Sequence, residues 1–121
     1  MGKVYRFVEP VVLLLLSQRG PSCGYDLAPD LRKYALTDAE IDKGALYRTL
    51  RQLEENGNVK SAWVIDDQGP ARRIYRLTAR GRRHLQEWAE VLDHLSGSMS
   101  RFVREARSSS SRTARVQSQK P

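Results

Sequence analysis

Cysteine is nearly absent from this 121-residue chain, which has a single one, Cys23. No disulfide can form within the chain, and that fits a reducing cytoplasm. Cys23 is read as a half-buried, inert thiol rather than a redox sensor. Histidine is also scarce. His84 and His94 have no cysteine partners, are read as surface residues, and suggest no metal site. Long apolar runs are missing too. The longest, Val11 to Leu16, has six residues, against the roughly 20 needed to span a bilayer. Met1-Gly2-Lys3 leads into a mixed segment, so no signal peptide is expected. No nucleophile–base arrangement, phosphate-binding loop or carboxylate pair stands out, so neither an enzyme nor a cofactor is expected.

What is present is positive charge. The formal net charge is +7 and the pI about 10, within the range of nucleic-acid binders. Its distribution says more than its sum. No acid lies beyond Glu105, whereas Arg107, Arg112, Arg115 and Lys120 do; without those four the body carries only +3. Within the body, Arg72, Arg73, Arg76, Arg80, Arg82 and Arg83 place six arginines in twelve residues with no acid among them. A chain of this length is read as one domain.

The element order can be read from patterning. Residues 1–9 form an N-terminal arm. Glu9-Pro10 opens a helix over about 10–18, apolar all round and so buried on most sides, which Gly20-Pro21 ends. A second helix is predicted over about 22–35, with Ser22 as N-cap and Tyr25, Ala28, Leu31 and Ala35 facing inward; Pro29 should kink it or delay its start. Thr37-Asp38-Ala39-Glu40 reads as a capping box, and Asp42 as the N-cap of a third helix that Gly57 stops. Residues 59–65 and 74–77 are β-formers around the polar turn Asp66-Asp67-Gln68-Gly69-Pro70, which predicts a hairpin. Thr78 caps a last helix running to about Ala106. Residues 107–121, rich in Ser, Arg and Gln, are expected to be a disordered basic tail.

The third helix, from Lys43, has two unlike faces. Leu46, Leu50 and Leu53 recur at core spacing, while Gly44, Arg48, Arg51 and Gln52 lie opposite, with Lys43 and Tyr47 at the edges. Arg can reach guanine or phosphate and Gln can reach adenine in a major groove. A solvated surface helix is the alternative for such a segment taken alone. On the last helix, Leu85, Trp88, Leu92, Leu95, Met99, Phe102 and Ala106 alternate at spacings of three and four, an a/d seam that predicts a homodimer. Three helices, a hairpin and a long helix make the order of an α+β, mainly α, winged helix-turn-helix (residues 10–78) with a C-terminal dimerisation helix (79–106). In that arrangement the third helix enters the groove and the hairpin grips phosphates through Arg72 and Arg73.

Gly24-Tyr25-Asp26-Leu27, the run from Gly44 to Gly57, and the run from Gly69 to Gly81 together resemble the signature blocks of the PadR family of bacterial transcriptional regulators. The opening Glu9 to Leu14, Gly69 to Tyr75 and Leu85 to Glu90 are similar to its polyhydroxybutyrate-responsive (PhaQ-like) branch. Two departures are Cys23, where many members have His, and Pro29. The resemblance implies a homodimeric repressor bound to double-stranded DNA at a roughly palindromic operator and released by a small-molecule or polymer effector. It also makes Trp88 a candidate lining of an effector pocket, against ordinary dimer core. A winged-helix protein–protein module is the competing class, but it would place apolar anchors on residues 43–52, where only Tyr47 qualifies. Binding to a membrane surface by the basic tail lacks interleaved apolar residues.

Overall fold

The computed structural model describes residues 7–34, 43–65 and 69–118, with side chains as far as residue 110. The elements are α1 (Val8–Arg19), β1 (Ser22–Cys23), α2 (Gly24–Lys33), α3 (Lys43–Glu55), β2 (Val59–Val64), β3 (Arg72–Leu77) and α4 (Ala79–Ser118). The three strands form an antiparallel sheet in the order β1-β3-β2. This is the expected winged helix-turn-helix followed by a long helix. The chain divides into two units, Met1–Trp88 and Ala89–Pro121.

The core of the first unit is built on α1. Val8, Val12 and Leu13 are fully buried, and Val11, Leu15 and Leu16 nearly so. Pro10 sits in the first turn, where a missing N–H breaks no intrahelical bond. The Gly20 N–H closes the helix on Leu16 O at 3.0 Å. Leu27 and Leu31 from α2, Leu46, Leu50 and Leu53 from α3, Val59 from β2 and Tyr75 from β3 complete the cluster, and Leu85 and Trp88 pack against it.

The second helix departs from expectation. Ser22 is not an N-cap; with Cys23 it forms a short strand, Ser22 opposite Tyr75 and Cys23 opposite Ile74. The helix begins at Gly24 and ends at Lys33. This start puts Gly24, Leu27 and Leu31 on the buried face and leaves Tyr25, expected inward, 77% exposed. The helix runs through Pro29. Ala35, the capping box at 37–40 and Asp42 lie outside the described residues, as do residues 1–6 of the arm and Asp66 to Gln68 of the hairpin turn.

Thr78 caps α4 as expected, accepting the Gly81 N–H at 3.0 Å. Its hydroxyl also lies 2.7 Å from Gly57 O and 3.0 Å from Asn58 O, so its own proton reaches back to the turn after α3. Helix α4 continues to Ser118, past the Ala106 end drawn from the seam, so 107–118 are helical rather than a disordered tail. Extending a formed helix adds a bond per residue without a new nucleation cost.

Candidate nucleic-acid interface

Helix α3 has no Gly or Pro after its first turn and only one β-branched residue, Thr49, so its sequence favours the helix throughout. It ends in a Schellman-type turn: Asn58 N–H bonds Leu53 O at 2.8 Å and Gly57 N–H bonds Glu54 O at 3.0 Å. Gly57 holds φ at +79°, where a side chain would be strained. Ala45, Leu46, Leu50 and Leu53 are buried, whereas Lys43, Gly44, Tyr47, Arg48, Arg51 and Gln52 are all exposed. The amphipathic division read from the sequence is therefore the division in the fold.

Tyr47 is anchored from its edge position. Its ring lies on the start of α2, where a Cβ on Gly24 would sit 2.7 Å from Tyr47 Cε1. The absence of a side chain at Gly24 lets the ring take this place while 44% of the residue stays exposed.

The hairpin brings Arg72 and Arg73 to its outer part. Arg72 is exposed, opposite Val64. Arg73 has partners inside the protein. Its Nη2 donates to Glu54 Oε1 at 3.1 Å and its Nε to Ser61 Oγ at 2.9 Å, and its guanidinium lies 5.6 Å from the Trp63 ring centroid. Ser61 Oγ donates in turn to Glu54 Oε2. The hydroxyl of Ser61 does most to hold the Glu54 carboxyl below its ordinary range; burial pushes it back up, and the Arg73 guanidinium adds to the lowering. Glu54 lies on α3 and Ser61 and Arg73 on the two strands, so this network ties the hairpin to the end of α3.

The start of α4 is tied to α1. His84, read as a surface residue, meets Glu9 through Nε2 and lies 3.4 Å from Glu87 Oε2 through Nδ1. Trp88 Nε1 donates to Glu9 Oε1 at 3.0 Å. Of the expected seam, Leu85 and Trp88 thus pack within the first unit. In the second unit Leu95, Met99 and Phe102 are exposed, together with Val91 and Val103.

Two exposed aromatics were not legible as site residues, Tyr25 and Trp63 (61% exposed). Both line an open concavity of about 450 Å³ beside Tyr47 and Arg72. Trp63 is exposed although strand alternation puts it on the same face of β2 as buried Val59.

The family model for PadR-like transcriptional regulators matches residues 12–87. The chain belongs to this family. The chain is 28% identical over 74 residues to the transcriptional activator GvpE2 of Halobacterium salinarum, an alignment covering 61% of this chain and 35% of the activator, so the chain spans about a third of that relative's length. A transcriptional regulator from Clostridium thermocellum has a similar structure, with TM-score 0.73 and 27% identity over 85% of this chain and 97% of that one. Bacillus subtilis PadR, solved in complex with operator DNA, shares the fold at TM-score 0.60 and 23% identity over 69% and 47% of the two chains. PadR-like proteins regulate transcription and are not enzymes. Among the described residues no helix is long and apolar enough to cross a membrane.

Proposed function

We propose that this PadR-like protein is a sequence-specific DNA-binding repressor acting in the cytoplasm. It binds a roughly palindromic operator as a homodimer and is released by an effector. The observation that carries this reading is the outer face of α3, on which Lys43, Gly44, Tyr47, Arg48, Arg51 and Gln52 are exposed together above a buried leucine stripe. Arg48, Arg51 and Gln52 read base edges, and Lys43 and Gly44 approach phosphate. Arg72 grips phosphate from the hairpin, while Arg73 sets the hairpin against α3. The operator complex of the Bacillus subtilis relative supports a DNA partner.

Dimer formation is supported by the apolar residues of the second unit, since small soluble proteins seldom leave such a patch uncovered. Leu85, Trp88, Leu92, Leu95, Met99 and Phe102 form the proposed seam, with residues 10–78 the DNA-binding domain and 79–106 the dimerisation helix. In this reading an effector would bind at Trp88 and replace the bond that its Nε1 makes to Glu9.

Fluorescence anisotropy on the protein's own upstream DNA, against a scrambled duplex and across a salt series, tests the reading. Tighter binding to the upstream duplex is expected, with a negative salt slope from several phosphate contacts. Equal affinity for both duplexes at every salt concentration overturns it. A reporter behind the bound site sets the sign of regulation, and repression is the expected result.

A further inference from the structure

We propose that the polar concavity between the end of α3 and the start of α4 binds a small hydroxylated dianion, a phosphate monoester or a dicarboxylate, held by Arg80, Arg83 and the amides of Asn56 and Asn58. The site goes beyond the DNA-binding reading. It shares no residue with the proposed DNA contacts or with the proposed dimer seam.

The concavity has a volume of about 400 Å³ and six lining residues, all polar: Asn56 and Asn58 from the turn after α3, and Arg80, Arg83, His84 and Glu87 from α4. That is the size of a small-molecule site. Arg80 and Arg83 are exposed, and among the described residues neither has a carboxylate or hydrogen-bond partner. Arg19 and Arg73, by contrast, are paired with Asp30 and Glu54. The lining holds one acid, Glu87, whose Oε2 lies 3.4 Å from His84 Nδ1. Nε2 of the same imidazole is turned to Glu9.

Asn58 is the independent sign of an occupant. The residue is only 5% exposed. Its backbone is engaged, the N–H with Leu53 O at 2.8 Å and the carbonyl with the Thr78 N–H at 3.1 Å. Its side-chain amide has no hydrogen bond among the described residues, yet no side-chain nitrogen or oxygen among them is sealed away without a partner. The amide therefore opens on the concavity that Asn58 lines. Side-chain amides set this deep are normally hydrogen-bonded.

The donor set fixes the ligand class. Each guanidinium fork can take two oxygens of a phosphate or carboxylate. The amides both donate and accept, which suits hydroxyls. With no apolar side chain in the lining, an aromatic or aliphatic body has nothing to pack on. An occupant braces the end of α3 against α4. It sits far from the helix start, since thirteen residues of α3 separate Asn56 from Lys43 by about 20 Å along the axis.

The test is calorimetric titration of the full chain at fixed ionic strength with glycerol 3-phosphate and with malate, chloride serving as the control. Variants are Arg80→Gln, Arg83→Gln, Asn56→Asp and, as a charge control outside the lining, Arg82→Gln. All four positions are exposed, and thermal melts check that the fold is kept. Saturable binding of one probe per chain is expected, and the tighter probe identifies the anionic group. Arg80→Gln, Arg83→Gln and Asn56→Asp should each weaken it about tenfold or more, whereas Arg82→Gln should match wild type. Absence of binding by either probe at millimolar concentration overturns the inference. So does an Arg82→Gln loss as large as the others, which would mean diffuse charge and an adventitious ion only. Anisotropy on the upstream duplex supplies the last arm. If Arg80→Gln makes its salt slope shallower by about one unit, the DNA backbone occupies the concavity and the small-ligand inference falls. The groove-reading face of α3 is tested separately by Arg51→Ala, whose loss of preference for the upstream duplex would stand whatever the probes do.

Discussion

Single side chains decide several properties of this protein. Glu54 is the clearest ionisable case. Its folded pKa lies below the ordinary value of 4.5, chiefly through the Ser61 hydroxyl and then Arg73. A carboxylate with a depressed folded pKa contributes stability that is fully present above its unfolded pKa and is lost as pH falls through the lower folded value. Thermal melts between pH 6 and 3 should therefore show an acid-side loss in wild type that Glu54→Gln lacks. The pair is partly exposed, so the difference should be small, about 0.5–1 kcal/mol; identical pH profiles for the two proteins would contradict the network. Gly81 illustrates a steric constraint. A Cβ there would lie 2.1 Å from Asn58 O and 2.7 Å from Leu77 Cδ1, and backbone cannot swing aside as a side chain can. Gly81→Ala should cost about 2–4 kcal/mol despite the better helix propensity of Ala, measured as a lower denaturation midpoint. A neutral or raised midpoint would show that α4 can shift away from the turn after α3.

Elements were legible in proportion to how local their signals are. Helix α3 carries its leucine stripe, its polar face and its Gly57 stop within fifteen residues, and the folded helix has the same inner and outer faces. The hairpin and the Thr78 cap were likewise written in adjacent residues. Strand β1 was not. Ser22 beside an apolar-periodic segment has the chemistry of an N-cap, and only its pairing with Tyr75, more than fifty residues away, makes it a strand. In the folded α2 it is Leu27 that is buried, and the expected inward Tyr25 is exposed. In the site, the outer face of α3 could be read from periodicity, whereas the engagement of Arg73 with Glu54 and Ser61 depends on strand register and could not. Pro29 supports a prediction at this scale. Its ring has no N–H to offer the Tyr25 carbonyl within α2. Pro29→Ala restores that bond and should stabilise the protein by about 2 kcal/mol, the helix gain being offset in part by a freer unfolded chain. Calorimetry should show a higher Tm; a fall would mean that α2 depends on the proline's shape.

The whole molecule pairs a well-packed first unit with a helical second unit whose apolar side chains lie open. Phe102 is 72% exposed and Met99 55%. Replacing both by Glu should convert the proposed dimer into a monomer in sedimentation velocity, with the melting transition of the first unit little changed. Operator affinity should then fall by on the order of 100-fold or more, because the second half-site no longer arrives with the first. A double variant that still sediments as a dimer would place the interface elsewhere. The junction at Thr78 carries a further meaning. Its backbone N–H bonds Asn58 O, its hydroxyl reaches the same carbonyl, and Gly81 stays bare so that this carbonyl can come close. Two residues three apart in the sequence thus serve one carbonyl, Thr78 by bonding to it and Gly81 by leaving it room.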